Sequence, residues 1–201
     1  CFDHAALSRV YCVCGFPPPS SGAIAMGQIL GMLQHTPASL MSSPTEAVDA
    51  TPDPRWLHLY TEASRLAFAD RAQYVADPDF APAPSGEWQS LLSPAYLRER
   101  AKLIRPTAMS QALPGVPVHA QRSSFAPMAD QPEYGTSHIS IVDGQGNALA
   151  MTTTIEDAFG SRQMVKGFLL NNELTDFSFA PRDAQGRLVA NRVQSNKRPR
   201  S

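Results

Sequence analysis

The chain has 201 residues, 43% of them hydrophobic and 17% charged, a size and balance that suit one domain or part of one. Its 17 Lys and Arg against 18 Asp and Glu give a net charge of -1 with no basic stretch, which argues against nucleic acid as a partner. No run reaches the roughly 20 apolar residues that cross a bilayer, and Cys1-Phe2-Asp3-His4 lacks the basic and apolar regions of a signal peptide.

Cysteines stand at 1, 12 and 14, with no second Cys or His group at ligand spacing, so no metal site is expected. Cys12-Val13-Cys14 alternates like a buried strand, and the three cysteines are assigned no role. Pro17-Pro18-Pro19-Ser20-Ser21-Gly22 is a rigid lead-in whose serines can cap a helix near 22–34, where Ile24, Gly27, Ile29, Leu30 and Leu33 recur at helical spacing. From Arg55 onward, Trp56, Leu59, Tyr60, Ala63, Leu66 and Ala67 predict a second helix, with Glu62 and Arg65 on its other side. Ser93-Pro94, a capping residue before a proline, opens a third that runs through Tyr96, Leu97, Ala101 and Ile104. Between Arg105 and Tyr134 prolines fall at 106, 114, 117, 127 and 132 and no apolar period survives, so an exposed, mobile segment is expected. Ser137 to Val142 then alternates, Asp143 to Asn147 supplies turn chemistry, and Ala148 to Thr154 returns as a strand, which makes a β-hairpin with Thr136 at its entrance. Phe168-Leu169-Leu170 suggests one more short strand before a polar stretch that runs to Ser201.

A threonine at a strand start is ordinarily a favourable β-former and nothing more. Here it follows a long irregular segment that ends in Gly135, and from there it can attack the preceding carbonyl and free its own α-amine. Such an amine has a reference pKa of about 7.7–8.0, so near neutral pH it can serve as base for the adjacent hydroxyl. His138 shares a strand face with Thr136 but lacks the third orienting group of a triad, and reads as structural. Asn147 reads as turn chemistry.

The stretch Thr136 to Asp143, with Gly146-Asn147-Ala148, Thr152-Thr153-Thr154 and Phe159-Gly160, resembles the start of the small subunit of γ-glutamyltransferases. So do Gly167-Phe168-Leu169-Leu170-Asn171-Asn172-Glu173 with Asp176-Phe177, and Asn196-Lys197-Arg198-Pro199. Pro17 to Gly22 and Glu62 to Arg71 resemble the latter part of the large subunit. The resemblance implies an α+β class, the αββα sandwich of N-terminal-nucleophile hydrolases, incomplete in this chain. It implies cleavage of Gly135–Thr136, with 1–135 from the end of the large subunit and 136–201 from the start of the small one, two subunits from one precursor. The activity it implies is hydrolysis or transfer of a γ-glutamyl group from glutathione-like donors to water or an amine through an ester on Thr136, without cofactor, in the periplasm or outside the cell. Family members are longer, so the chain is expected to lack a substrate-carboxylate arginine, a second serine and the oxyanion glycines, and to be inactive alone.

Carried over by position, Thr154 matches the threonine that bonds and positions the nucleophile. Glu173 and Asp176 match a pair that holds the substrate α-ammonium, a task two carboxylates suit. Ser201 matches the first of two serines near the substrate carboxylate. Glu156 stands where better-known members carry asparagine, and adds a third acid to the pocket. Ala23 replaces a usual glycine. Relatives of the same fold act as acylases on glutaryl side chains, including cephalosporins; those donors lack the α-ammonium, and the presence of Glu173 and Asp176 argues against that branch. A non-catalytic fragment is the remaining reading.

Overall fold

The computed structural model describes residues 1–6, 9–40, 53–120, 123–132 and 135–201. Its elements in order are β1 (Phe2–Ala6), β2 (Arg9–Val13), α1 (Gly22–Leu33), α2 (Pro54–Tyr74), α3 (Pro94–Ala101), β3 (Ser137–Val142), β4 (Ala148–Thr153), β5 (Met164–Val165) and β6 (Phe168–Leu169). The strands pair as three separate antiparallel ribbons, β1–β2, β3–β4 and β5–β6.

The helices start where their caps are. The Asp53 side chain accepts from Arg55 N at 2.8 Å ahead of Pro54, and Ser93 Oγ accepts from Tyr96 N at 3.4 Å ahead of Pro94. Ile29, Met32 and Leu33 of α1, Ala63, Leu66 and Ala67 of α2, and Leu97 and Ala101 of α3 form the main core. A Cβ on Gly31 would collide with Leu97 Cδ1, so its absence sets how closely α1 and α3 approach.

At the centre, Asp70 is buried and accepts from Gln28 Nε2 at 2.9 Å, Tyr96 Oη at 2.7 Å, Arg100 Nη2 at 3.1 Å and Gly115 N at 2.8 Å. Buried carboxylates persist when their oxygens are satisfied, and this one joins all three helices to the chain beyond them. Asp77, also buried, accepts from the backbone N and guanidinium of Arg198, which hold its carboxyl well below the usual range.

Four expectations need correction. Glu62 is buried rather than on an outer face, because residues past α3 cover it; it accepts from Met109 N at 2.8 Å and from Arg65 Nη1 at 2.9 Å. The segment after Arg105 is irregular as expected but not exposed throughout. Ala126 and Met128 are buried, and their amides donate to Leu188 O and Ala72 O; residues 121, 122, 133 and 134 of it lie outside those described. The closing stretch is not uniformly polar, since Phe177, Val189 and Ala190 are buried.

The cysteines are not buried hydrophobes either. The register Phe2↔Val13 sets Cys1 directly opposite Cys14, and the two form a disulfide with Cα atoms 4.1 Å apart. Cys12 is free and exposed. Phe2, His4 and Val13 take the partly covered face of the ribbon, with Phe2 against Gly27 and His4 bonded to Gln34, so alternation turns the cysteines outward.

Candidate active site

Thr136 is exposed and sits one residue ahead of β3. The ladder runs from Val142↔Ala148 to Ser137↔Thr153, so Thr136 and Thr154 are the first residues beyond its last pair. Asp143 closes the far end, accepting from the amides of Gln145 and Asn147 at 2.9 Å each. His138 is satisfied both across the ladder, with Nδ1 2.9 Å from Thr152 Oγ1, and along its own strand, with Nε2 3.1 Å from Ser140 Oγ.

Beyond Thr154 the backbone is tightly bent. Thr154 Oγ1 accepts from Glu156 N at 2.8 Å, and Glu156 itself has φ 74°. Among the described residues seven non-glycines have positive φ, and three of them, Glu156, Phe159 and Arg162, fall in this one loop, with Lys166 in the β5–β6 turn that follows it. Such backbone is unfavourable for side chains with a Cβ and concentrates at functional sites. Gly160 is required where it stands, since φ is 51° and a Cβ would collide with the Leu170 carbonyl oxygen. The bend is fastened to the segment just after β6: Asn172 N donates to Ile155 O at 3.3 Å and Asp157 N to Asn172 Oδ1 at 3.0 Å. Glu156 Oε2 is buried without a hydrogen-bond partner.

Glu173 and Asp176 stand at the two ends of a single 3-10 turn, Glu173–Asp176. Burial, then the neighbouring Glu173 carboxyl, push Asp176 up to about 6, with Arg71 and Arg200 pulling the other way. The turn is tied in from two sides. Gln131 Nε2 donates to Thr175 O at 3.0 Å and Phe177 O at 3.1 Å. Buried Asn191 donates to Asp176 O at 2.7 Å and accepts from Arg200 N at 3.0 Å. Gln131 is five residues before Thr136, so at about 3.3–3.6 Å per residue Thr136 lies within about 18 Å of the group that holds the acid turn.

Ser201 meets the start of α1 here. Ser201 O accepts from both the amide and the hydroxyl of Ser21 at 2.7 Å, Ser201 N donates to Pro19 O at 3.3 Å, and Arg71 Nε donates to Ser21 Oγ at 2.8 Å. Ser21 therefore stands at the N-cap of α1 without capping it by its side chain, contrary to the sequence expectation, because its hydroxyl is engaged elsewhere. An open cavity of about 820 Å3 borders this junction, lined by Arg65, Phe68, Arg71, Asp130, Gln131 and Arg200 among others.

The structure thus sets Glu173 and Asp176 at the two ends of one turn, and Thr154 and Glu156 on either side of Ile155, which bonds to the residue before Glu173. Among the described residues no hydrogen bond joins Thr136 or Glu156 to the acid pair. Sequence reasoning missed Arg71, Asn191 and Arg200; Arg71 closes the Glu62–Arg71 motif, and its neighbours in space could have been sought among the residues around Asn196-Lys197-Arg198-Pro199.

The mixed arrangement of helices and short strands has the fold of the crystal structure of cephalosporin acylase from Bacillus halodurans, matched with a TM-score of 0.59 over 91% of this chain and 27% of that one at 24% identity. Residues 4–201 match the family model described as gamma-glutamyltranspeptidase, and the chain belongs to that family. Similar proteins include the glutathione hydrolase proenzymes of Pseudomonas aeruginosa, 38% identical over 90% of this chain, and of Bacillus subtilis, 37% identical over 95%. The chain spans 30% and 31% of the length of these two relatives.

Proposed function

We propose that the protein to which this chain belongs is a γ-glutamyl hydrolase and transferase made active by its own cleavage at Gly135–Thr136, with the αββα sandwich as its complete fold. The observation that carries the proposal is Thr136 at the open mouth of the β3–β4 hairpin, one residue beyond the last pair of its ladder, Ser137↔Thr153. Thr136 Oγ attacks the Gly135 carbonyl carbon, the peptide C–N bond breaks as the ester forms, and water hydrolyses that ester to leave Thr136 with a free α-amine. In turnover the amine accepts the hydroxyl proton as Oγ attacks the donor's γ-carbonyl, the leaving amine departs with a proton, and water or an amine acceptor releases the γ-glutamyl group. Thr154 positions the nucleophile. Glu173 and Asp176 pair with the donor's α-ammonium, Glu156 adds negative charge beside them, and Ser201 lies toward the donor's carboxylate. Residues 1–135 and 136–201 then belong to two subunits of one precursor, without a cofactor, in the periplasm or outside the cell.

The fold likeness to a cephalosporin acylase favours a second reading, glutaryl-type acyl transfer by the same nucleophile. Comparing kcat/KM for matched γ-glutamyl and glutaryl anilides decides between them. A glutaryl group leaves the acid pair desolvated and unpaired, at a cost commonly of about 1–3 kcal/mol or more, so the γ-glutamyl donor should be preferred at least about tenfold. Equal rates would move the assignment to the acylase branch.

A further inference from the structure

The three cysteines belong to neither the core nor the catalytic set, yet the β1–β2 ribbon gathers them. Cys12 and Cys14 are two residues apart on β2 and its extension, so they share a face. The register brings Cys1 opposite Cys14 and Asp3 opposite Cys12 on that same outward face. All three sulfurs lie within 4.8 Å of one another, and Cys12 Sγ is 4.0 Å from Cys14 Sγ. Three sulfurs around one ion with bonds of about 2.3 Å lie about 4 Å apart in a trigonal plane; Cys12 and Cys14 already stand at that spacing, and Cys1, bonded to Cys14 in the disulfide, has only to move off by about 2 Å once that bond is reduced.

We propose that Cys1, Cys12 and Cys14 form a three-thiolate site for a soft monovalent cation, copper(I), open only when the Cys1–Cys14 disulfide is reduced. Reduction by a dithiol or phosphine adds two electrons and two protons to the disulfide and yields two thiols beside the free thiol of Cys12. Copper(I) then displaces the three thiol protons and forms three Cu–S bonds. Thiolates select this ion over hard cations, and exposure of the cysteines leaves the ligands accessible without any opening of the core. In the oxidised chain Cys12 alone remains a thiol, and one thiolate is a weak site.

The test is an anaerobic titration of the phosphine-reduced chain with copper(I) against a chromogenic competitor, with X-ray absorption on the loaded sample. One ion per chain in an all-sulfur, three-coordinate shell is expected, with the disulfide form binding at least about 100-fold more weakly. Cys12→Ser and Cys1→Ser should each weaken binding at least about tenfold, the second because only strand pairing recruits Cys1. Asp3→Asn should leave affinity within about twofold, as a carboxylate is a poor ligand for this ion. Wild-type affinity in Cys1→Ser would reduce the site to a plain Cys-x-Cys dithiol and overturn the proposal. So would equal binding by the disulfide form, or a tenfold loss in Asp3→Asn.

Discussion

The helical half and the β3–β4 hairpin are built on opposite terms. In the helices Ala63, Leu66 and Ala67 are at most 1% exposed and a carboxylate at the centre accepts from four donors. In the hairpin every residue is exposed, and Ile141 and Leu149, opposite each other in the ladder, are both 52% exposed. Stability therefore resides where the proposed chemistry does not. The helical half contributes fixed anchors, Arg71 and Asp77 at or just past the end of α2, to which the motif around Ser201 is attached. The hairpin contributes reach, a hydroxyl at its mouth with no packing to hold it back.

The largest effect that separates the halves is on activity. Thr136→Ala in the full precursor should leave one uncut polypeptide, and γ-glutamyl anilide turnover should fall at least about 10³-fold, since a nucleophile acts only when all of its unit is present. Electrophoresis and the N-terminal sequence of the smaller product check this. Cleavage that persists in the variant would place the nucleophile elsewhere. The counterpart in the helical half is Asp70→Ala, which leaves Arg100 buried without its charge partner and three further donors unpaired. It should cost about 3–5 kcal/mol in urea unfolding of the chain, where removing one partner of a buried pair commonly lies. A loss below about 1 kcal/mol would mean that Asp70 is not the hub the geometry makes it.

What the sequence made legible follows the same division. Local signals were enough for the hairpin, because Ser137 to Val142 alternates and Asp143 to Asn147 can close only a tight turn. They were enough for Ser93-Pro94 and for the apolar spacing of Ala63, Leu66 and Ala67. What failed depended on partners distant in the chain. Glu62 is buried because Met109 reaches it, and Cys1 faces Cys14 because Phe2 and Val13 pair. Ser21 meets Ser201 from 180 positions away. No periodicity encodes such meetings. The acid pair was placed by family motif alone, while Asn191 and Arg200, which fix its backbone, carry no local pattern at all.

A pH dependence sharpens the chemical side of the comparison. With Asp176 pushed up to about 6, its carboxyl holds a proton below that pH and lacks the charge that the proposed pairing with an ammonium uses; above it Asp176 is ionised. The ratio of kcat/KM for γ-glutamyl over glutaryl anilides should rise up to about tenfold per pH unit toward about pH 6 and level off above it. Taking the ratio cancels titration of the Thr136 amine, which serves both donors. Asp176→Asn should flatten the profile and narrow the preference, and Glu156→Gln should narrow it less. A ratio independent of pH in the wild type would mean that the pair does not meet the ammonium.

The smallest effect is expected on the hairpin itself. Leu149→Gln removes an apolar side chain that is half in solvent and whose nearest counterpart is Ile141 across the ladder. A cross-strand pair contributes about 0.2–1 kcal/mol, and surface changes away from special features stay within about 0.5, so the loss in the chain should be under about 1 kcal/mol. Leu66→Ala, at 1% exposure in the main core, should cost about 2–5 kcal/mol on the same assay. The contrast tests whether the hairpin stands by its own ladder. If Leu149→Gln cost as much as Leu66→Ala, the hairpin would be packed against other surface in solution, and Thr136 would be held by tertiary contacts rather than by its ladder alone.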